Sequence, residues 1–162
     1  MENLERKYKS ITHGMLTENE VFEQIKFDIL TQPEHDFQII VGTDSQTYDL
    51  MRVVPVIALI KVGRGGKWFH RVEVRSRTYD IREKIYHETQ QSLDLAKRLT
   101  TFLYDENIDC NIIVAVDMGE NPHGKTHVLI KEIVGWVTSE GFECVYKPNA
   151  TVASTIADRL SK

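Results

Sequence analysis

The chain has few of the residues that define specialised architectures. Its 162 residues include only two cysteines, four prolines and nine glycines. Cys110 and Cys144 lie too far apart in the sequence for a zinc knuckle and are too few for a disulfide framework. No apolar run approaches the roughly 20 residues that a membrane-spanning helix needs. The first residues lack the basic start and apolar stretch of a secretory signal, so we expect a cytoplasmic protein that does not enter a membrane.

A clear excess of positive charge is present in only one segment of the chain. The formal net charge is −4, which gives the whole chain no signature of a nucleic-acid-binding protein. Between Arg52 and Arg77, however, seven Lys and Arg residues stand against the single acidic residue Glu73. This segment is able to bind a polyanion although the chain is acidic overall. The length and the 41% hydrophobic content indicate one domain with a packed core.

Four helices are predicted from apolar residues at helical spacing. Thr17 and Glu20 form a capping-box pattern ahead of a helix over about 18–31. Asp80 begins a long helix that reaches about Asp105. Further helices are expected over 126–140 and from about Thr151. The first of these carries its apolar face at helical spacing with Val128, Leu129, Ile133 and Val137. The inward stripe of the long helix is predicted to be Ile81, Ile85, Leu95, Leu99 and Leu103.

Five strands are predicted from short apolar or alternating runs, and the turn 63–66 joins the second and third as a hairpin. Right-handed crossovers then favour an α/β fold, a mixed five-stranded sheet of order 3-2-1-4-5 flanked by helices. We expect a helical extension over 1–36 and the main domain over 37–162. Pro55 conflicts with a central strand, because proline cannot donate a backbone hydrogen bond. The predicted strands are Phe37–Thr43, Val53–Val62, Trp68–Arg75, Cys110–Val116 and Glu143–Lys147.

Two carboxylates follow neighbouring strands of this predicted sheet. Asp44 ends the first strand and Asp117 ends the fourth, at the crevice where the connections change direction. Two like charges held close together need a cation, and oxygen ligands suit Mg²⁺ or Mn²⁺. Either Asp alone is more typical of a strand-end turn than of a metal site. The pair, in this topology, predicts a divalent-metal site.

The long helix supplies a third candidate ligand. At 100° per residue, Glu88 falls within the apolar stripe, whereas Glu83 points almost the opposite way. A carboxylate on a buried helix face is unfavourable unless it is paired or coordinates a cation. The alternative is a helix that kinks or begins later and leaves Glu88 exposed.

Several motifs together resemble the ribonuclease H-like superfamily and, within it, a bacterial family of the YkuK type. The resemblance covers most of the chain. The residues that carry it are Val41-Gly-Thr-Asp-Ser-Gln46, the Gly-Arg-Gly-Gly turn, Val116-Asp-Met-Gly119, Gly124-Lys-Thr126, Lys147-Pro148, Ala153-Ser154 and Ala157-Asp158.

The resemblance implies a nuclease that hydrolyses phosphodiesters in RNA, hybrid or structured DNA with two Mg²⁺ or Mn²⁺ ions. Its catalytic carboxylates would be Asp44, Glu88, Asp117 and, from the last helix, Asp158. The fourth position departs from the pattern, because Ser154 stands where a carboxylate is expected. The hairpin residues expected to contact the phosphate backbone, unless they form only a solvated face, are Lys61, Arg64, Lys67 and Arg71.

The sequence is also compatible with two alternative functions. One is a catalytically silent ribonuclease H-like module that binds nucleic acid. The other is nucleotide binding, because Gly119–Thr126 fits the phosphate-loop pattern G-x-x-x-x-G-K-T between a strand and a helix. Glu120 and Pro122 weigh against this loop, since one repels phosphate and the other lacks a backbone donor.

Overall fold

The computed structural model describes residues 7–47, 51–75, 80–117 and 125–146. At positions 44–47, 51–52, 74–75 and 125–127 it describes the backbone but not the side chains. The predicted last helix and Asp158 lie outside the described residues. No helix within the described part of the chain is long and apolar enough to cross a membrane.

Eight strands of the described segments form one mixed sheet. They are β1 (Lys7–Ser10), β2 (Gly14–Thr17), β3 (Phe37–Thr47), β4 (Met51–Lys61), β5 (Gly65–His70), β6 (Glu73–Arg75), β7 (Asn111–Val116) and β8 (Glu143–Tyr146). The order is β2-β1-β5-β4-β3-β7-β8, and β6 pairs with β4. The β3–β7 and β7–β8 pairs are parallel and the others antiparallel. The path β5-β4-β3-β7-β8 confirms the predicted order 3-2-1-4-5.

Three helices lie within the described residues, and two of them begin at the predicted caps. They are α1 (Glu18–Thr31), α2 (Ile81–Asp105) and α3 (Lys125–Ser139). Thr17 and Glu20 form the reciprocal capping box of α1. Asp80 caps α2 by accepting a hydrogen bond of 2.8 Å from the backbone N–H of Glu83.

The segment before residue 37 contains more than the predicted helix. Strands β1 and β2 form a hairpin, and β1 joins the sheet edge by pairing Lys9 with His70 of β5. Tyr8 is fully buried, and its hydroxyl donates to Glu18 at 3.1 Å. This hairpin therefore extends the sheet, so a purely helical description of 1–36 is incomplete; the boundary itself stays a prediction.

Side chains of β3 enter the core on both faces of the sheet. Ile39 and Val41 pack in the larger cluster with the helices, whereas Ile40 packs in a smaller cluster on the other face. This arrangement agrees with the uninterrupted apolar sequence of the strand. Two predicted inward residues are wrong: Ile81 is 62% exposed and Val128 is 65% exposed. Both lie in the first turn or so of their helices.

Pro55 is accommodated because the neighbouring strand is interrupted beside it. β5 ends at His70 and β6 begins at Glu73, so on the side away from β3 the strand β4 has no regular partner at Pro55. The Pro55 carbonyl accepts a hydrogen bond from the Arg71 N–H at 3.0 Å on this side. The missing donor of Pro55 therefore falls at the interruption, which resolves the conflict seen in the sequence.

Candidate metal and nucleic-acid site

The register of β3 and β7 brings two acidic positions to one edge of the sheet. Gly42 lies beside Ala115, and Asp44 and Asp117 each follow two residues further along. Asp44 stands opposite Val54 in the β3–β4 ladder. Asp117 is the residue after β7 and is half-buried. Neighbouring strands lie about 4.8 Å apart, so the two backbone positions are close.

Glu88 is buried on α2, with only 2% of its surface exposed. Ile85 and Ser92, one turn before and after it, are also buried, and α2 packs against β3 and β7. The predicted burial of Glu88 is confirmed. The alternative, a helix that kinks or begins later and leaves Glu88 exposed, is wrong. Its role as a metal ligand stays a prediction.

A hydroxyl pair fixes α2 against β3 beside these acidic residues. Thr43 Oγ1 and Ser92 Oγ are 2.8 Å apart, and both residues are buried. Thr43 directly precedes Asp44, and Ser92 lies one helical turn after Glu88. The contact thus ties the element that carries one candidate ligand to the element that carries another. Nothing in the sequence singled out this contact, although Ser92 shares the helical stripe of Glu88.

Among the side chains that the structure describes, no three His, Cys, Asp or Glu residues form a group able to hold a metal ion. That set does not include the side chain of Asp44, nor Ser154 and Asp158. The fold brings toward one region the backbone positions of three acidic residues, on β3, on α2 and after β7. Carboxylate oxygen is the ligand type that Mg²⁺ and Mn²⁺ prefer.

The four basic residues of the predicted phosphate-contacting set lie in different environments. Arg64 is exposed in the β4–β5 turn, and Lys61 is half-buried at the end of β4. Lys67 forms an ion pair of 2.9 Å with Asp28 of α1. Arg71 pairs with Glu73 and lies over the ring of Tyr8, 5.6 Å from its centroid.

Lys67 and Arg71 therefore each have an ion-pair partner within the chain. Arg64 is the member of the set whose exposure best suits contact with a polyanion. Contact of these residues with nucleic acid stays a prediction.

The phosphate-loop motif falls mostly outside the described residues. Strand β7 precedes it, and α3 begins at Lys125. The strand-to-helix context of the motif is therefore present, while positions 118–124 are not described.

The comparisons with known proteins agree with this architecture. A family model described as ribonuclease H-like matches residues 20–162. The chain belongs to this ribonuclease H-like family. It is similar to a Bacillus subtilis (strain 168) protein described as "Uncharacterized protein YkuK", with 29% identity over 169 aligned positions that cover 96% of each chain. No solved structure matches the chain significantly. The resemblance seen in the sequence is confirmed.

Proposed function

We propose that this protein is a divalent-metal-dependent nuclease that hydrolyses phosphodiester bonds in nucleic acid. The observation that carries the proposal is that β3, β7 and α2, which pack together, each lead to or bear one candidate carboxylate. The parallel register of β3 and β7 leaves Asp44 and Asp117 at one sheet edge, and the buried Glu88 lies on the helix packed against the same strands. Membership of the ribonuclease H-like family supports this assignment.

The carboxylates Asp44, Glu88 and Asp117 would hold the metal, and Asp158 is proposed as a further ligand. When bound, Mg²⁺ or Mn²⁺ supplies a more acidic water and balances charge on the phosphodiester. The oxygen chemistry of these donors fits either cation. The chain's own contribution is to fix the donors in place before the substrate arrives.

Rigid placement of Glu88 follows from its surroundings. The residue is almost fully buried on a 25-residue helix, and the Thr43–Ser92 contact holds that helix on β3. A buried carboxylate has few accessible rotamers, so little order is lost when it coordinates an ion. Arg64 is exposed in the β4–β5 turn, and we propose that it contacts phosphates away from the cleaved bond.

The test is a cleavage assay with labelled single-stranded RNA, RNA–DNA hybrid and branched DNA in Mn²⁺ or Mg²⁺. We expect at least one substrate to be cleaved by the wild type, and Asp44→Asn, Glu88→Gln and Asp117→Asn to lose this activity. Asp109→Asn is the matched control, because Asp109 is exposed before the opposite end of β7. Chelation of the metal should abolish cleavage.

Three results would overturn the proposal. Full activity of Asp44→Asn would reject the assigned carboxylates. Binding of nucleic acid without cleavage by the wild type in either metal would favour the catalytically silent module instead. ATP binding that is lost in Lys125→Ala would instead point to the phosphate loop.

A further inference from the structure

A polar pocket of about 280 Å³ lies between α2 and residues of β4, β6 and the connection from β5 to β6. It lies at the interruption beside Pro55, where β5 has ended and β6 has not begun. Sequence reasoning did not anticipate it, because it depends on contacts between distant parts of the chain. Its walls include Pro55, Arg71, Gln91, Asp94, Leu95 and Arg98.

The charges around the pocket nearly cancel. Arg71 pairs with Glu73, and the Arg98 Nε donates to Glu18 at 2.9 Å. Asp94 accepts a hydrogen bond from Gln90. A wall that combines guanidinium groups with carboxylates is a poor site for a phosphate group, which offers only acceptors and negative charge. It suits a neutral polar ligand instead.

The wall offers a complementary pair of buried polar atoms, a donor and an acceptor, that have no hydrogen-bond partner among the described residues. One is the donor Nε of Arg71, and the other is the acceptor Oε1 of Gln91. Buried polar atoms without partners are unfavourable. Gln91 is half-buried and lines the pocket. The terminal torsion of a glutamine side chain has a broad preference, so its amide is able to turn toward a bound ligand. A ligand with one acceptor and one donor satisfies both residues.

The pocket adjoins the candidate cleavage site. Gln91 lies one helical turn after Glu88 and directly before Ser92 on α2. Across the sheet, Pro55 pairs with Thr43, the residue before Asp44. The pocket thus shares α2 with Glu88, and its strand β4 lies beside β3, the strand of Asp44, at a spacing of about 4.8 Å.

We propose that this pocket holds one nucleobase of the nucleic-acid strand that is cut at the adjacent site, with Arg71 and Gln91 contacting its hydrogen-bonding edge. The proposal rests on the proposed nuclease function for the identity of the ligand. Every base presents a donor next to an acceptor on at least one edge. Guanidinium planes stack on unpaired bases, and Pro55 and Leu95 provide an apolar surface.

The test measures base binding in the absence of any divalent cation. Saturation-transfer NMR would compare the four ribonucleosides and ribose 5-phosphate with wild type, Gln91→Leu and Gln24→Leu. Gln24 is a matched control because it lies on α1, outside the pocket walls. We expect at least one nucleoside to bind the wild type and the control, and to bind Gln91→Leu about tenfold or more weakly.

Three results would overturn the proposal: no nucleoside binding, equal binding to Gln91→Leu, or equal binding of ribose 5-phosphate. Circular dichroism and thermal melting of Gln91→Leu would first establish that it is folded. Because the experiment contains no metal and no cleavage step, it can fail while the hydrolase assignment stands, and it can succeed if that assignment fails.

Discussion

Removing the Thr43–Ser92 contact tests how α2 is held against the sheet. Ser92→Ala leaves the Thr43 hydroxyl without its partner at a position that is only 5% exposed. An unsatisfied buried hydroxyl destabilises a protein by about 1–3 kcal/mol. Thr43→Val keeps the shape of the side chain and should have a similar effect. The double variant has neither hydroxyl, so no buried hydroxyl is left without a partner. Its loss in free energy of unfolding should therefore be smaller than the sum of the two single losses by about 1–2 kcal/mol.

Urea unfolding of the four proteins, followed by circular dichroism, measures this coupling. A loss of 1 kcal/mol corresponds to a fall of about 2–4 °C in melting temperature for a domain of this size. Thr100→Ala is the control, because the Thr100 hydroxyl donates to the Ala96 carbonyl of its own helix. Additive losses in the double variant, or a change below about 0.3 kcal/mol in Ser92→Ala, would refute the reasoning.

The remaining predictions concern two glycines, one helix cap and the two half-buried cysteine thiols. Gly66→Ala should destabilise the protein by about 1–3 kcal/mol, because a Cβ there would lie 2.5 Å from a backbone oxygen of β4. Gly135→Ala has open space and should stabilise α3 by about 0.5–1 kcal/mol; thermal melting compares the two, and equal effects would contradict the geometry. Thr17→Ala should lose about 0.5–2 kcal/mol in urea unfolding, because it removes the capping box. Burial raises the pKa of Cys110 and of Cys144 from 9.0 to about 11. The unfolded chain releases these protons first, so stability should fall from about pH 9 to pH 11 more in the wild type than in the double alanine variant.

The local pattern of the sequence was sufficient for the central elements. The apolar runs of β3 and β7 and the caps at Thr17 and Asp80 predicted their strands and helices correctly. Helical phase alone was enough to predict that Glu88 is buried. Each of these features depends on residues close together in the chain.

The features that were missed depend on contacts between distant residues. Strand β1 has the polar sequence Lys7-Tyr-Lys-Ser10 and gains its place by pairing with β5. Helical phase shows which side of a helix faces inward, but not how far along the axis the partner extends, so Ile81 and Val128 were misjudged. The pocket at Pro55 requires the interruption between β5 and β6, which no local pattern encodes.

The most direct test of the central claim is the position of manganese in crystals soaked in Mn²⁺, located by anomalous scattering. The account predicts an ion at the carboxyl ends of β3 and β7, contacted by oxygens of Asp44, Glu88 and Asp117. Crystals saturated with Mn²⁺ in which these oxygens lie more than about 10 Å apart would contradict it, because ions about 4 Å apart cannot bridge such a separation.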